Sequence, residues 1–280
     1  MNPINLGGGT VLFENAIDIP QESLISYLEK EKDKWRAENF DIVYGEDGKP
    51  VHAVNKGGFI YSIESMNASP VRIQELEHSF FQKCDEAVYE ALLHYIEIFP
   101  AILQCLWWRS GGHVLCYDKG ANLGFHCDND VNYRYGAAPQ KEHATRNVLS
   151  ALVYFNDCTE DDIPYAFTGG NMTIPYFDID IKPKTGSILL MPANYLGAHE
   201  IHQVTSGSRY SYLSWFAQGT GTIDSGISPM IPDGTYQSGG QWWMETIIED
   251  FGNHLDKKYG ENIPCELSAY RNRADDHKGY

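Results

Sequence analysis

The stretch His199-Glu200-Ile201-His202-Gln203-Val204-Thr205-Ser206-Gly207-Ser208-Arg209-Tyr210-Ser211 decides how the rest of the chain is read. It predicts a strand, a Thr-Ser-Gly turn, and a second strand that begins on an arginine. Two of its histidines compete for one site. If strands 199–204 and 209–217 pair as a hairpin with a two-residue loop at Ser206-Gly207, Val204 pairs with Arg209. His202 then shares the face of Arg209 and His199 does not. A loop of odd length, or one bulge, reverses this. Hairpin geometry alone leaves both histidines open.

A second stretch, Gly124-Phe125-His126-Cys127-Asp128-Asn129-Asp130, carries the matching chemistry. On a strand, side chains at i and i+2 share a face, so His126 and Asp128 would project side by side. Such a pair supplies two of the three ligands of a 2-His-1-carboxylate triad, the set that leaves open positions on non-haem Fe(II). H-x-D also recurs as a surface dipeptide, so the pair needs a third ligand from far away in sequence. Cys127, between them, is expected to face the other way as a buried packing residue.

The chain around these stretches has 280 residues, 42% of them hydrophobic, enough for an ample core. The formal net charge of -17 makes nucleic acid an unsuitable partner without a local basic patch, and no run of Lys and Arg provides one. That balance suits a soluble protein with a small or cationic ligand. No apolar run approaches the roughly 20 residues of a membrane helix. Residues 1–9 lack the basic and apolar regions of a signal peptide. Cys84, Cys105, Cys116, Cys127, Cys158 and Cys265 show no C-x-x-C and no framework spacing, so reduced thiols and a cytoplasmic location are expected.

Along the chain, 10–17 predicts a strand, and Pro20-Gln21-Glu22-Ser23 opens a helix to about Glu38. Residues 39–57 read as loop with short strands, and 58–63 as a strand. Ser69-Pro70 reads as the start of a long amphipathic helix to about Phe99, its stripe formed by Ile73, Leu76, Phe80, Cys84, Val88, Leu92 and Tyr95. His78 and His94 within it read as surface or packing residues. Strands are then expected at 103–109, 113–117, 122–128, 147–155, 170–175, 186–191, 199–204 and 209–217, which suggests a sandwich or barrel. A Gly-Ser-Pro-rich link follows about 219, and Gln241-Trp242-Trp243 leads into a helix to about Tyr259. His113 reads as structural, and His143 as part of a polar loop at the rim of an opening.

The order of short motifs between about 105 and 217 resembles the prolyl 4-hydroxylase-like family of iron(II)/2-oxoglutarate-dependent oxygenases. His199-Glu200-Ile201 through Val204-Thr205-Ser206-Gly207 to Arg209-Tyr210-Ser211 resembles the family's H-E-V-x-x-V-T-S-G-x-R-Y-S pattern. Val114 to Tyr117 and Gly124 to Asp128 resemble its strand-loop-H-x-D segment. Arg146 to Asp157 resembles its R-x-L-S-x-x-x-Y-L-N-D strand, Phe167 to Asn171 its G-G-x-L turn, and Lys184 to Met191 its P-x-x-G-x-x-x-x-F strand. Residues 1–100 and 219–280 lie outside the resemblance.

The resemblance implies an α+β, mainly β fold: a double-stranded β-helix (jelly-roll) core at 101–218, N-terminal supporting helices in 1–100 and a C-terminal helical extension at 219–280, all in one oxygenase domain. It implies His126, Asp128 and His199 as Fe(II) ligands and favours His199 over His202. It implies Arg209 on the far carboxylate of 2-oxoglutarate, where a planar fork of donors matches a carboxylate. Tyr117 and Tyr154 match positions that can line that pocket and are equally at home as core tyrosines. An aspartate at 128, where related halogenases carry a small residue, favours hydroxylation. The implied activity is O2-dependent hydroxylation of an unactivated C–H bond, with 2-oxoglutarate decarboxylated to succinate. Asp130, Asp157, Glu160, Asp161 and Asp162 near the expected mouth read either as a solvated acidic rim or as favouring a small-molecule substrate with a cationic group, such as a free amino acid or an amine-bearing natural product. A prolyl residue in a peptide is the alternative by family analogy. A metal-binding barrel with non-oxidative activity and a non-catalytic binding module are the readings from other classes.

Overall fold

The computed structural model describes residues 1–55, 58, 60–73, 79–106, 108–109, 112–129, 145–161, 163–219, 241–242 and 244–271. The expectations for His78, His143, Asp130, Asp162 and the link after 219 fall outside these residues.

The chain opens with a hairpin, β1 (Pro3–Gly7) and β2 (Thr10–Phe13). Helix α1 (Gln21–Asn39) follows. The antiparallel strands β3 (Phe40–Tyr44), β4 (Pro50–Asn55) and β5 (Ile60–Ser62) then form a small sheet of their own, followed by the short helix α2 (Ile63–Ala68). Next come β6 (Val71–Ile73), the long helix α3 (Phe80–Ile98), a 3-10 turn at Pro100–Gln104, β7 (Trp108–Arg109), β8 (His113–Tyr117) and β9 (Leu123–His126). The strand-rich part continues with β10 (Thr145–Tyr154), β11 (Cys158–Thr159), β12 (Phe167–Gly169), β13 (Met172–Ile174), β14 (Ile179–Ile181) and β15 (Ile188–Pro192). It closes with β16 (His199–Ile201), β17 (Val204–Ser206) and β18 (Arg209–Gly219). Strand β19 (Gln241–Trp242) and helices α4 (Met244–Tyr259) and α5 (Cys265–Arg271) complete the described elements.

The single helix expected from Ser69-Pro70 to Phe99 is not formed. Ser69 instead caps the C-terminus of α2, its N–H bonding the Met66 carbonyl at 3.2 Å. Val71, Arg72 and Ile73 run buried, exposed, buried as β6, and pair with β8. That alternation has a period of two, and β-branched Val and Ile suit a strand better than a helix. The helix begins only at Phe80, and from there the predicted stripe of Cys84, Val88, Leu92 and Tyr95 is buried. Of the strand expected at 103–109, only Trp108–Arg109 forms one; its first two residues end the 3-10 turn. Strands β12 and β14 were not anticipated; each is three residues long, too short for a clear period.

The major sheet runs β1-β2-β15-β10-β18-β7-β19, with β8 also on β18 and β6 on β8. A second layer is made of β14-β13-β16-β9 and of β11-β12-β17. Alternation along the major sheet divides its residues between two cores. Ala151, Val153, Phe155, Ile188, Leu190, Tyr210, Tyr212 and Phe216 join Leu24, Leu28, Val88, Leu92 and Phe251 of the helices. Leu152, Tyr154, Leu189, Met191 and Leu213 point the other way, onto Phe167, Met172, Ile174, Ile201 and Val204 of the second layer. Two antiparallel layers around an inner core, with helices outside, are consistent with the expected jelly roll.

Polar anchors tie the helices to this sheet. Asp85 of α3 takes Arg109 Nη2 at 2.7 Å and the Tyr212 hydroxyl at 2.6 Å. Lys32 of α1 reaches Asp118 at 2.8 Å, and the same carboxylate oxygen accepts from Ser208 Oγ at 2.7 Å, next to Arg209.

Candidate metal centre

Segments 199–204 and 209–217 do not pair as a hairpin, which removes the parity problem. Strand β16 lies in the second layer between β13 and β9, whereas β18 lies in the major sheet between β10 and β8. Strand β17 pairs with β12, so the Thr-Ser-Gly turn is a crossing between layers. Gly207 makes that crossing at φ +68°, and a Cβ there would lie 2.4 Å from the Ala166 carbonyl oxygen.

Strand β16 pairs His199 directly with His126 at the end of β9. Their ring centroids are 4.4 Å apart. Strand β9 stops at His126, so Asp128 sits in the turn beyond it and not on a shared strand face. The pair still meets: His126 Nε2 is 3.5 Å from Asp128 Oδ1. One ligand atom from each of His126, Asp128 and His199 lies within 4.8 Å of the other two. His202 is outside this group, half exposed, with Nε2 3.2 Å from Thr173 Oγ1.

Both rings are oriented by backbone carbonyls. His126 Nδ1 donates to the Gly124 carbonyl at 2.7 Å and His199 Nδ1 to the Gly197 carbonyl at 2.9 Å. A carbonyl can only accept, so the proton sits on Nδ1 and the lone pair on Nε2. Gly197 is needed where it is, because a Cβ would stand 1.8 Å from the Pro192 carbonyl oxygen. Burial, partly opposed by the Asp128 charge, lowers the basicity of His199 and keeps its ring neutral.

Asp128 is held from the major sheet. Ser150 Oγ of β10 donates to its Oδ2 at 2.5 Å, and Asn147 Nδ2 donates to its backbone carbonyl at 2.9 Å. Burial alone would raise its pKa; the neighbouring His126, His199, Ser150 and Trp215 together outweigh it and hold it at about 2. The sequence reading missed Ser150 and Asn147. Ser150 was findable, since it shares the i, i+2, i+4 face of β10 with Leu152 and Tyr154. Cys127 is half-buried, not fully buried as expected. His113 is buried beside Trp215, at 5.0 Å between centroids, and takes no part in the triad.

Arg209 begins β18 opposite Tyr117 of β8 and is wholly buried. Its guanidinium carbon lies 4.8 Å from the Tyr117 ring centroid and 5.5 Å from that of Tyr154. Nη1 makes one long contact, 3.5 Å, to Ser211 Oγ. Nε, Nη2 and the Tyr154 hydroxyl find no hydrogen-bond partner among the described residues. Burial pushes the Tyr117 phenol up to about 12, so it stays protonated.

Residues 112–217 match the model of the 2OG-Fe(II) oxygenase superfamily. Over this segment the chain is similar to that superfamily. The oxygenase segment thus runs from β8 through nearly all of β18 and holds every residue of the site just described. A PKHD-type hydroxylase of Pseudomonas putida is 31% identical over 104 residues, covering 36% of this chain and 41% of that protein. One of Acinetobacter baylyi is 29% identical over 101 residues, covering 35% and 39%. The match therefore spans about two fifths of these relatives' length. Among solved structures, a viral collagen prolyl hydroxylase from Paramecium Bursaria Chlorella virus-1, in complex with 2OG, aligns at a TM-score of 0.48 with 14% identity, over 75% of this chain and 96% of that one. A prolyl-4-hydroxylase of Pseudomonas putida aligns at 0.41 with 17% identity, over 75% and 92%.

The superfamily uses Fe(II), 2-oxoglutarate and O2, and the residues here fit that set. Two neutral imidazoles and a carboxylate are the donor set of a facial triad. A buried guanidinium with two nitrogens lacking acceptors is costly on its own and is matched by a dicarboxylate. The orphaned Tyr154 hydroxyl beside it is a ready donor to the same anion.

Proposed function

We propose that the chain is an Fe(II)- and 2-oxoglutarate-dependent hydroxylase built on a double-stranded β-helix, with the whole chain acting as one oxygenase unit. The observation that carries this is Arg209: a fully buried cation with two nitrogens lacking an acceptor among the described residues, in the same oxygenase segment as the converging His126, Asp128 and His199. His126 and His199 offer Nε2, and Asp128 offers the carboxylate edge that Ser150 leaves open. Arg209 holds the far carboxylate of 2-oxoglutarate, with the protonated Tyr117 and Tyr154 phenols beside it. When bound, the metal supplies the oxidising chemistry by which a C–H bond becomes C–OH while 2-oxoglutarate loses CO2 to give succinate. The second-layer and major-sheet side chains keep this space dry.

The substrate is a small molecule carrying an amine, or alternatively a prolyl residue in a peptide. Phe125, next to His126, is half exposed and meets Tyr176 edge-on at 5.8 Å. An aromatic pair of this kind suits an alkylammonium group or a pyrrolidine ring. Asp157 and Glu160 give the amine less help than their charge suggests, since Asp157 accepts the Thr185 N–H at 2.6 Å and Glu160 lies 3.5 Å from Lys182. No described helix is long and apolar enough to cross a membrane. The six cysteines are free thiols, which supports a reducing, cytoplasmic setting.

The test is succinate formation and O2 uptake with Fe(II) and 2-oxoglutarate, using amines, free amino acids and proline-containing peptides. Stimulation by one class names the substrate. Succinate formation that survives unchanged in Asp128→Ala and His199→Ala would remove the whole reading.

A further inference from the structure

Helices α3 and α4 pack together on the outer side of the major sheet, through Val88, Leu92, Ile248, Phe251 and Leu255. Beyond this apolar contact lies a second group of ligand-type side chains. His94 and Glu97 are three residues apart on α3 and so share a face. His254 comes from α4. The rings of His94 and His254 stand perpendicular, with centroids 4.7 Å apart, and His254 Nε2 is 3.1 Å from Glu97 Oε2. One ligand atom of each lies within 4.8 Å of the other two, the same bound that the His126, Asp128, His199 group meets. The sequence reads His94 as a surface or packing residue, and neither of its ring nitrogens makes a hydrogen bond to a described residue.

Glu97 is well anchored. Lys258 Nζ donates to Oε1 at 2.7 Å and to Oε2 at 2.9 Å, and the Tyr259 hydroxyl donates to Oε1. A cavity of about 630 Å³ opens beside the cluster and is lined by His94, His254, Tyr89, Glu90, Asp250 and Asn253. It provides a path of entry, with Lys257 and Lys258 on its wall beside the two carboxylates.

We propose that His94, Glu97 and His254 form a second metal site that takes a Zn2+-class transition ion and clamps α4 to α3. Two imidazoles and one carboxylate suit such an ion, whereas Ca2+ and Mg2+ call for oxygen-only shells. His254 Nε2, Glu97 Oε2 and one nitrogen of His94 are the ligands, and water from the cavity fills the remaining position. The ion replaces the His254–Glu97 hydrogen bond. Lys258 gives up Oε2 and keeps Oε1, so the carboxylate stays oriented by a partner behind the ligand. The site lies on the helical side of the major sheet, apart from the candidate oxygenase centre.

The full chain, stripped of metal, is titrated with Zn2+ against a chromophoric chelator. Two equivalents are expected in the unaltered protein. One is expected in His126→Ala/Asp128→Ala, and this remaining equivalent weakens at least about tenfold when His94→Gln or His254→Gln is added. Single His94→Gln and His254→Gln proteins should keep their fold by circular dichroism and their 2-oxoglutarate turnover. A thermal melt gives an independent reading: Zn2+ should raise the Tm of His126→Ala/Asp128→Ala and leave that protein unmoved once His254→Gln is added. Bound equivalents in the unaltered protein that are all indifferent to His94→Gln and His254→Gln, or a remaining equivalent in His126→Ala/Asp128→Ala indifferent to both, overturn the proposal. Loss of the triad equivalent alone would count against the oxygenase reading and leave this site standing.

Discussion

Asp128 has two oxygens with separate surroundings, one facing His126 and one fixed by Ser150. Removing the Ser150 hydroxyl leaves the ligand set intact and loosens its aim. Ser150→Ala should therefore bind Fe(II) roughly 10- to 100-fold more weakly, read from the Fe(II) dependence of turnover, with the maximal rate less affected. Arg209 makes the opposite kind of prediction. Its charge lacks a protein acceptor at two nitrogens, so Arg209→Met should be no less stable than the parent in ligand-free protein. Saturating 2-oxoglutarate with a redox-inert metal should raise the stability of the parent by about 2.7 kcal/mol at a hundredfold excess over Kd, and that of Arg209→Met by far less. Thermal shifts of the two proteins with and without the dicarboxylate check both halves. At this scale the sequence was informative: Arg209 and the H-x-D pair stood out because the order of motifs around them resembles an oxygenase family. Ser150 and Asn147 did not, because a serine and an asparagine on a strand advertise nothing until their partner is placed.

At the scale of elements, the sequence reading went astray where a three-residue segment had to be distinguished from a longer neighbour. Val71-Arg72-Ile73 has one period of alternation, too little to outweigh a Ser-Pro helix start and a long apolar stripe. The Thr-Ser-Gly turn has the composition of a hairpin, yet β17 and β18 belong to different layers, a choice made by which cores Val204 and Tyr210 enter. Long elements such as α1 and α3 from Phe80 onward were legible because their apolar spacing extends over several turns. The crossing has a testable consequence. Gly207→Ala must adopt a left-handed backbone and crowd the Ala166 carbonyl, so it should cost about 1–3 kcal/mol in urea unfolding. Gly197→Ala should do comparable damage and also disturb the carbonyl that orients His199, so its metal affinity should fall together with its stability.

At the scale of the whole molecule, protonation links stability to pH through His113. Burial, with Arg72 beside it, lowers its pKa from 6.5 to about 3. Between those values the unfolded chain binds a proton that the folded chain refuses. Stability is thus fully present above about pH 6.5 and is lost as pH falls toward 3, at up to about 1.4 kcal/mol per pH unit. Urea unfolding at pH 7.5 and 5.5 should show a loss that is smaller by about that amount in His113→Gln. Composition read this scale well in one respect, a large core in a strongly acidic chain. It could not show that the core is two cores, because strand alternation looks the same whether the outer face meets water or a helix until the helices are placed.

The division of β10 between those cores gives an engineer of this protein two nearly independent dials. Ser150, Leu152 and Tyr154 look toward the candidate oxygenase centre, while Ala151, Val153 and Phe155 look toward the helices. Variant libraries confined to the first set should alter selectivity and cofactor grip at modest cost in yield. Libraries confined to the second should move melting temperature while catalytic preference stays put. Six consecutive residues, 150–155, thus encode two traits interleaved one by one, and selection can act on either without rewriting the other.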